Sequence, residues 1–272
     1  MTASTDRVDT FRTLHERGCF VIPNPWDVGS ARYLEMIGFK ALATTSSGFA
    51  WSIAKSDTTV TLDEALEHLR AIAGSAGVPV NADFEGGFAI EPAGVAENVG
   101  RAVTTGIAGI SIEDSTGDEA SPLFAFDLAV ERVRAARAAI DTSATGVLLT
   151  GRSEGFIVGR PDLAETIRRL TAYADAGADC LYAPGLRSMA DIAAVVAAVA
   201  PRPVNVLVGS DFTTVAALAA AGVRRISVGG ALARAAWTGF MGAATEIAEN
   251  GTFAGLAAAV PFSEIDGRFR RT

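Results

Sequence analysis

Asp83, Glu85 and Glu113 lie in two short segments, Asn81-Ala82-Asp83-Phe84-Glu85 and Ser111-Ile112-Glu113-Asp114. Three carboxylates brought to one place repel unless a cation or a proton joins them. Mg²⁺ prefers such hard oxygen ligands and keeps several of its waters, so one or two carboxylates plus a substrate suffice to hold it. The competing reading is that these acids pair with Arg152 and only stabilise the place where they meet; the number of acids favours the metal. Arg152 stands in Thr150-Gly151-Arg152-Ser153-Glu154, and its guanidinium presents the two-pronged donor that a carboxylate or phosphonate needs. An ion pair with Glu113 or Glu154 is compatible with that role. Ser46, Ser47 and Gly48 could offer backbone N–H groups to an oxyanion, although Ser-Ser-Gly is also a common turn.

These residues need a scaffold that gathers them, and the sequence repeats one. An apolar helical stretch ends at glycine and a short β-branched run follows, as in Gly18-Cys-Phe-Val-Ile, Gly38-Phe-Lys-Ala-Leu, Gly77-Val-Pro-Val, Gly106-Ile-Ala-Gly-Ile-Ser-Ile, Gly177-Ala-Asp-Cys-Leu and Gly222-Val-Arg-Arg-Ile-Ser-Val. Each glycine sits where a helix needs positive φ to stop, and each run has the length of a buried parallel strand. With Gly146-Val-Leu-Leu-Thr and Pro203-Val-Asn-Val-Leu, eight strands are predicted near 20–23, 40–45, 78–83, 108–113, 147–152, 179–183, 203–208 and 224–228. Eight strands alternating with helices predict an α/β fold, a parallel TIM-like (β/α)8 barrel. A doubly wound sheet is the second choice, and the absence of G-x-G-x-x-G after the first strand counts against it.

Barrels place function at the C-terminal ends of their strands. Those ends read Asn24-Pro25-Trp26-Asp27, Thr44-Thr45-Ser46-Ser47-Gly48, Asn81 to Glu85, Glu113-Asp114, Thr150 to Glu154, Tyr182 and Asn205, with Arg152 the only Lys or Arg among them. Gly209-Ser210 and Gly229-Gly230 follow the last two strands, where backbone amides bind phosphate in many barrels; tight turns explain them equally well. The two histidines, His15 and His68, fall on helices away from this mouth, and Cys19 and Cys180 lie at a strand start and inside a strand. Ser-His-Asp and Cys-His catalysis are therefore disfavoured.

The net charge of −8 and the lack of basic clusters argue against nucleic acid as a partner. Two distant cysteines argue against a disulfide framework and for a reducing, cytoplasmic setting. The longest apolar stretch is too short to span a bilayer and the N-terminus is polar, which predicts a soluble, unprocessed protein without membrane association. No linker divides residues 1–272, so one barrel domain is expected. Residues 231–272 carry more apolar surface than one closing helix needs, which predicts an oligomerisation segment.

In order along the chain, Ser46-Ser47-Gly48, Asn81-Ala82-Asp83, Ala108-Gly-Ile-Ser-Ile-Glu113-Asp114 and Arg152 resemble the isocitrate lyase/phosphoenolpyruvate mutase superfamily over about residues 11–245. The resemblance implies Mg²⁺ or Mn²⁺, a small 2-oxo or 2-hydroxy carboxylate and a pyruvate-type enolate stabilised by the metal. It implies that Asp83 holds the metal with Glu113 and Glu85 in support, and that Ser46, Ser47 and Gly48 bind the substrate carboxylate or enolate oxygen. Asp57, Glu113 and Arg152 would be catalytic, Asn81, Asn205 and Trp26 would contact substrate, and Asp27 would help line the mouth. It also implies a homotetramer that swaps its last helix between subunits. Two departures stand out. Asn81 replaces the family's first strand 3 aspartate, with Glu85 in place of a glycine. The Lys-Lys-Cys-Gly-His signature of isocitrate and methylisocitrate lyases is replaced by Ser115-Thr-Gly-Asp-Glu-Ala-Ser-Pro-Leu-Phe, a lid whose Asp118, Glu119 or Ser121 would face substrate. The expected reaction is lyase cleavage or decarboxylation. Phosphorus–carbon chemistry on phosphonopyruvate is the alternative, and a non-catalytic metabolite-binding barrel a third.

Overall fold

A computed structural model describes residues 3–270. Its strands are β1 (Phe20–Ile22), β2 (Leu42–Ala43), β3 (Val80–Asp83), β4 (Gly109–Glu113), β5 (Leu148–Arg152), β6 (Cys180–Tyr182), β7 (Val204–Leu207) and β8 (Arg225–Ser227). All pair in parallel, in the order β1-β8-β7-β6-β5-β4-β3-β2. Between β1 and β2 the barrel closes through single bonds. Ala43 N–H donates to the Pro23 carbonyl at 3.0 Å. Asn24 Nδ2 donates to the Thr44 carbonyl at 2.8 Å, while Asn24 Oδ1 accepts from Val228 and Gly229 N–H, each at 2.9 Å.

The helices are α1 (Ala3–Glu16), α2 (Val28–Met36), α3 (Ser46–Ser52), α4 (Leu62–Ser75), α5 (Pro92–Ala102), α6 (Phe126–Ser143), α7 (Leu163–Asp175), α8 (Met189–Val199), α9 (Val215–Ala220), α10 (Ala231–Asn250) and α11 (Phe262–Phe269). Side chains of Asp27, Thr45, Thr61, Asp162, Ser188 and Thr214 accept the free N–H groups that begin α2, α3, α4, α7, α8 and α9. Every predicted strand is present. The predicted helix-stopping glycines are at positive φ with one exception, Gly77. There the requirement is space: a Cβ on Gly77 would lie 2.6 Å from Glu35 Oε1, whose carboxylate takes the Gly77 N–H.

Inside the barrel Phe11 of α1 packs against Gly109, where a Cβ would stand 2.5 Å from the ring. His15 packs edge-on between Phe11 and Phe20. The chain divides after Gly230. In the second unit Glu246 of α10 accepts hydrogen bonds from Thr252, Ala254 and Gly255, which turns the chain back along that helix. Phe240, Met241, Phe253, Phe262 and Ile265 of this unit are each more than half exposed. Among the described residues no helix is long and apolar enough to cross a membrane.

Candidate active site

A cavity of about 180 Å³ opens among the C-terminal ends of the strands. Ser46, Ser47, Asp57, Asp83 and Arg152 form its mouth, and Asn81, Ser111, Asn205, Arg225 and Ser227 lie deeper on the strands. Residues 46–48 are the first turn of α3 and not an open turn. The Ser46 N–H donates to Asp83 Oδ2 at 3.0 Å, and the Gly48 N–H is turned toward Thr45 Oγ1. Gly48 is buried and does not line the cavity. Ser46 and Ser47 do.

Arg152 on β5 is the hub. Its Nη1 lies 3.0 Å from Asp83 Oδ1 and 3.0 Å from Glu113 Oε2, its Nε bonds Glu154, and its guanidinium carbon sits 5.3 Å from the Tyr182 ring centre. Both expected ion pairs, with Glu113 and Glu154, are therefore present, and Asp83 adds a third. The prongs face the protein's own carboxylates, so only Nη2 lacks a protein partner among the described residues. Behind the hub, Glu154 N–H donates to Asp114 Oδ1 at 2.7 Å, and Asp114 Oδ2 accepts from Tyr173 and Arg169. Asp114 is thus a buried brace.

The three acids expected at a metal do not all line one cavity. Asp83 lines the central cavity, Glu85 and Glu113 line a neighbouring one of about 450 Å³ under the 115–117 segment, and Asp83 and Glu85 meet again in a smaller pocket beside His68. Among the described residues no three His, Cys, Asp or Glu side chains form a cluster that could hold an ion. Yet carboxyl groups at the mouth outnumber the one guanidinium they meet. Burial, then Asp83 and Asp57, pushes Glu85 up to about 7. Burial raises Glu113 well above the carboxylate range despite Arg152, and burial with Asp83 raises Asp57. Such crowding favours the protonated acids, and a cation relieves it in their place, so a hard cation bound through Asp83 and water fits this donor set.

Trp26 and Asp27 do not line the cavity. Asp27 caps α2 through the Ser30 N–H at 2.7 Å, and the Trp26 N–H donates to Ser30 Oγ. The 115–123 segment closes on itself through a Ser115–Leu123 bridge, with Asp118, Glu119 and Ser121 exposed. Of the amides read as a phosphate cradle, that of Gly229 is taken by Asn24, together with that of Val228. His68 is stacked on Phe49, and His15 is buried below the cavity. Arg225 was missed because it begins its strand. The signal was the alternation of Arg225 and Ser227 on β8, which brings both to the cavity, with Gly229 just past the strand.

A phosphoenolpyruvate phosphomutase family model matches residues 11–248. A Burkholderia cenocepacia J2315 structure described as a lyase or mutase is 47% identical, covers 99% of this chain and 98% of its own, and superposes with a TM-score of 0.95. An oxaloacetate decarboxylase from Bradyrhizobium diazoefficiens is 31% identical over 66% of this chain and 64% of that one. A phosphonopyruvate hydrolase solved with oxalate and Mg²⁺ is 25% identical, covers 100% and 97% of the two chains, and has a TM-score of 0.82.

Proposed function

Because the chain belongs to the phosphoenolpyruvate mutase/isocitrate lyase superfamily of lyases and mutases, we propose that it is a divalent-metal-dependent lyase acting on a small 2-oxo or 2-hydroxy dicarboxylate. The observation that carries this reading is the excess of carboxylates at the mouth around a single guanidinium. Its likeness to an oxaloacetate decarboxylase supports decarboxylation or carbon–carbon cleavage beside a carbonyl.

Asp83 would hold the cation, with Glu85 and Glu113 orienting its waters. When bound, Mg²⁺ or Mn²⁺ supplies positive charge against the oxygen that becomes negative as the bond breaks. Arg152 Nη2, left without a protein partner among the described residues, would donate to that oxygen, with Ser46 and Ser47 lining the same cavity. Tyr182 walls the cavity and limits water. Asp57 is the cavity acid that does not pair with Arg152, which suits it to return a proton to the enolate carbon. Glu113 keeps Arg152 in place.

The lyase signature with its cysteine is absent from 115–124, so isocitrate is not the expected substrate. Phosphonopyruvate chemistry is the second reading, favoured by the likeness to the hydrolase. Pyruvate release should be assayed with Mg²⁺ from oxaloacetate, malate-type dicarboxylates, methylisocitrate and phosphonopyruvate. Turnover of a carbon acid supports the lyase, turnover of phosphonopyruvate alone supports the second reading, and silence across the panel contradicts both. The exposed apolar side chains of residues 231–270 support assembly into an oligomer, expected to be a tetramer, through this C-terminal segment. Two free thiols, Cys19 and Cys180, agree with work in the cytoplasm.

A further inference from the structure

The cavity has a second guanidinium, that of Arg225, which is 3% exposed and lines it from β8. Its Nε donates to Asn205 Oδ1 at 2.9 Å, its Nη2 to Thr150 Oγ1 at 3.0 Å, and its Nη1 lies 3.4 Å from His15 Nε2. All three partners are neutral. His15 Nδ1 is 2.8 Å from the Phe11 carbonyl, and burial, followed by the charge of Arg225, lowers its pKa to about 3. No carboxylate pairs with Arg225 among the described residues. A guanidinium carries five N–H groups, and these contacts occupy three of them.

A buried charge is costly unless an opposite charge meets it. Arg152 has three carboxylates; Arg225 has none. The cavity is therefore graded, with carboxyl groups crowded around Arg152 at the mouth and an unbalanced positive charge deeper on the strands. Packing agrees. Barrel interiors are usually filled by bulky branched side chains, but here Ala43, Asn81, Ser111, Asn205 and Ser227 line the cavity beside Ile22, Tyr182 and Leu207, so much of its strand wall is small or polar. Asn81 Oδ1 is buried with no partner. A polar recess of this kind around an unpaired guanidinium matches a carboxylate better than an apolar group.

We propose that Arg225 is a specificity-determining residue that receives the distal carboxylate of a dicarboxylate substrate. This rests on the lyase reading above. The 2-oxo or 2-hydroxy acid end of the substrate then stands at the mouth beside Arg152 and Asp83, and the far carboxylate reaches Arg225. Asn205 and Thr150 hold the guanidinium plane, so the predicted substrate contact of Asn205 becomes a positioning one.

The test is calorimetric binding of two anions, oxalate and malate, in saturating Mg²⁺ to wild type, Arg225→Met and Arg225→Lys. Oxalate has no distal group to reach Arg225. Arg225→Met is expected to weaken malate by about 30-fold or more while oxalate affinity stays within about 3-fold, and Arg225→Lys is expected to recover part of the malate loss. Equal losses for both anions, or malate binding that survives in Arg225→Met, overturn the assignment. If Arg225→Met does not fold, Arg225→Lys decides alone: its malate affinity must fall relative to oxalate, since a lysine cannot reproduce the planar donor set. Wild type that binds neither anion removes the lyase reading itself, and the proposal with it.

Discussion

At the residue scale the mouth of the barrel is an electrostatic problem with one internal cation. Replacing Arg152 by Ala would leave Asp83, Glu113 and Glu154 facing one another, and loss of one partner from such a buried set costs on the order of 3–5 kcal/mol. Arg152→Lys keeps the charge but not the three-way geometry, so it should fold and lower kcat/KM by roughly 100-fold; unchanged kinetics would reduce Arg152 to a structural role. His15 and His68 are held neutral by burial, with values lowered to about 3 and about 4. The unfolded chain binds their protons near pH 6.5 and the folded chain does not, so stability falls as pH drops below 6.5 toward those values. Each contributes about 1.4 kcal/mol per pH unit in its window. His15→Gln should flatten the acid limb of a denaturation-midpoint profile, and an unaltered limb would show that His15 does not set it. The mouth acids, Arg152 and the serines were legible in the sequence, because strand ends are where barrels keep chemistry. That Glu113 lines a different cavity from Asp83 was not legible, since spacing alone does not show how the chain runs after β3, where Glu85 stands at φ 46°.

At the scale of elements, seven strands could be read from a glycine that ends a helix and the apolar run after it, and β7 from the apolar run after Pro203. Gly77 and Gly109 show the limit of that reading. Both are required by close approach to a distant residue, Glu35 in one case and Phe11 in the other, and such contacts leave no local pattern. Gly109→Ala would place Cβ 2.5 Å from Phe11 Cε1 and 2.6 Å from Asn81 Oδ1, which should cost about 1–3 kcal/mol through overpacking; a denaturant midpoint that does not move would show that α1 yields easily. Asn24 was read only as part of a polar strand end. Its real task is to close the seam, serving Thr44 on one side and Val228 and Gly229 on the other. Asn24→Ala strands those groups and should destabilise the fold by about 2–3 kcal/mol.

At the scale of the whole molecule, the sequence shows a surplus of apolar residues after Ala231, and the structure leaves Phe240, Phe253, Phe262 and Ile265 exposed. Sedimentation of wild type against Phe262→Asp/Ile265→Asp should show a smaller species for the variant; identical profiles would remove residues 262–269 from the interface. The central claim is that carboxylates at the mouth recruit a divalent cation for lyase chemistry. It is tested most directly by following pyruvate release from oxaloacetate by wild type and Asp83→Ala, with Mg²⁺ and then with EDTA, alongside circular dichroism of both proteins. Turnover by wild type that EDTA abolishes, and that the folded Asp83→Ala protein lacks even in excess Mg²⁺, is the expected result. Turnover that survives EDTA, or full activity in Asp83→Ala, would contradict it.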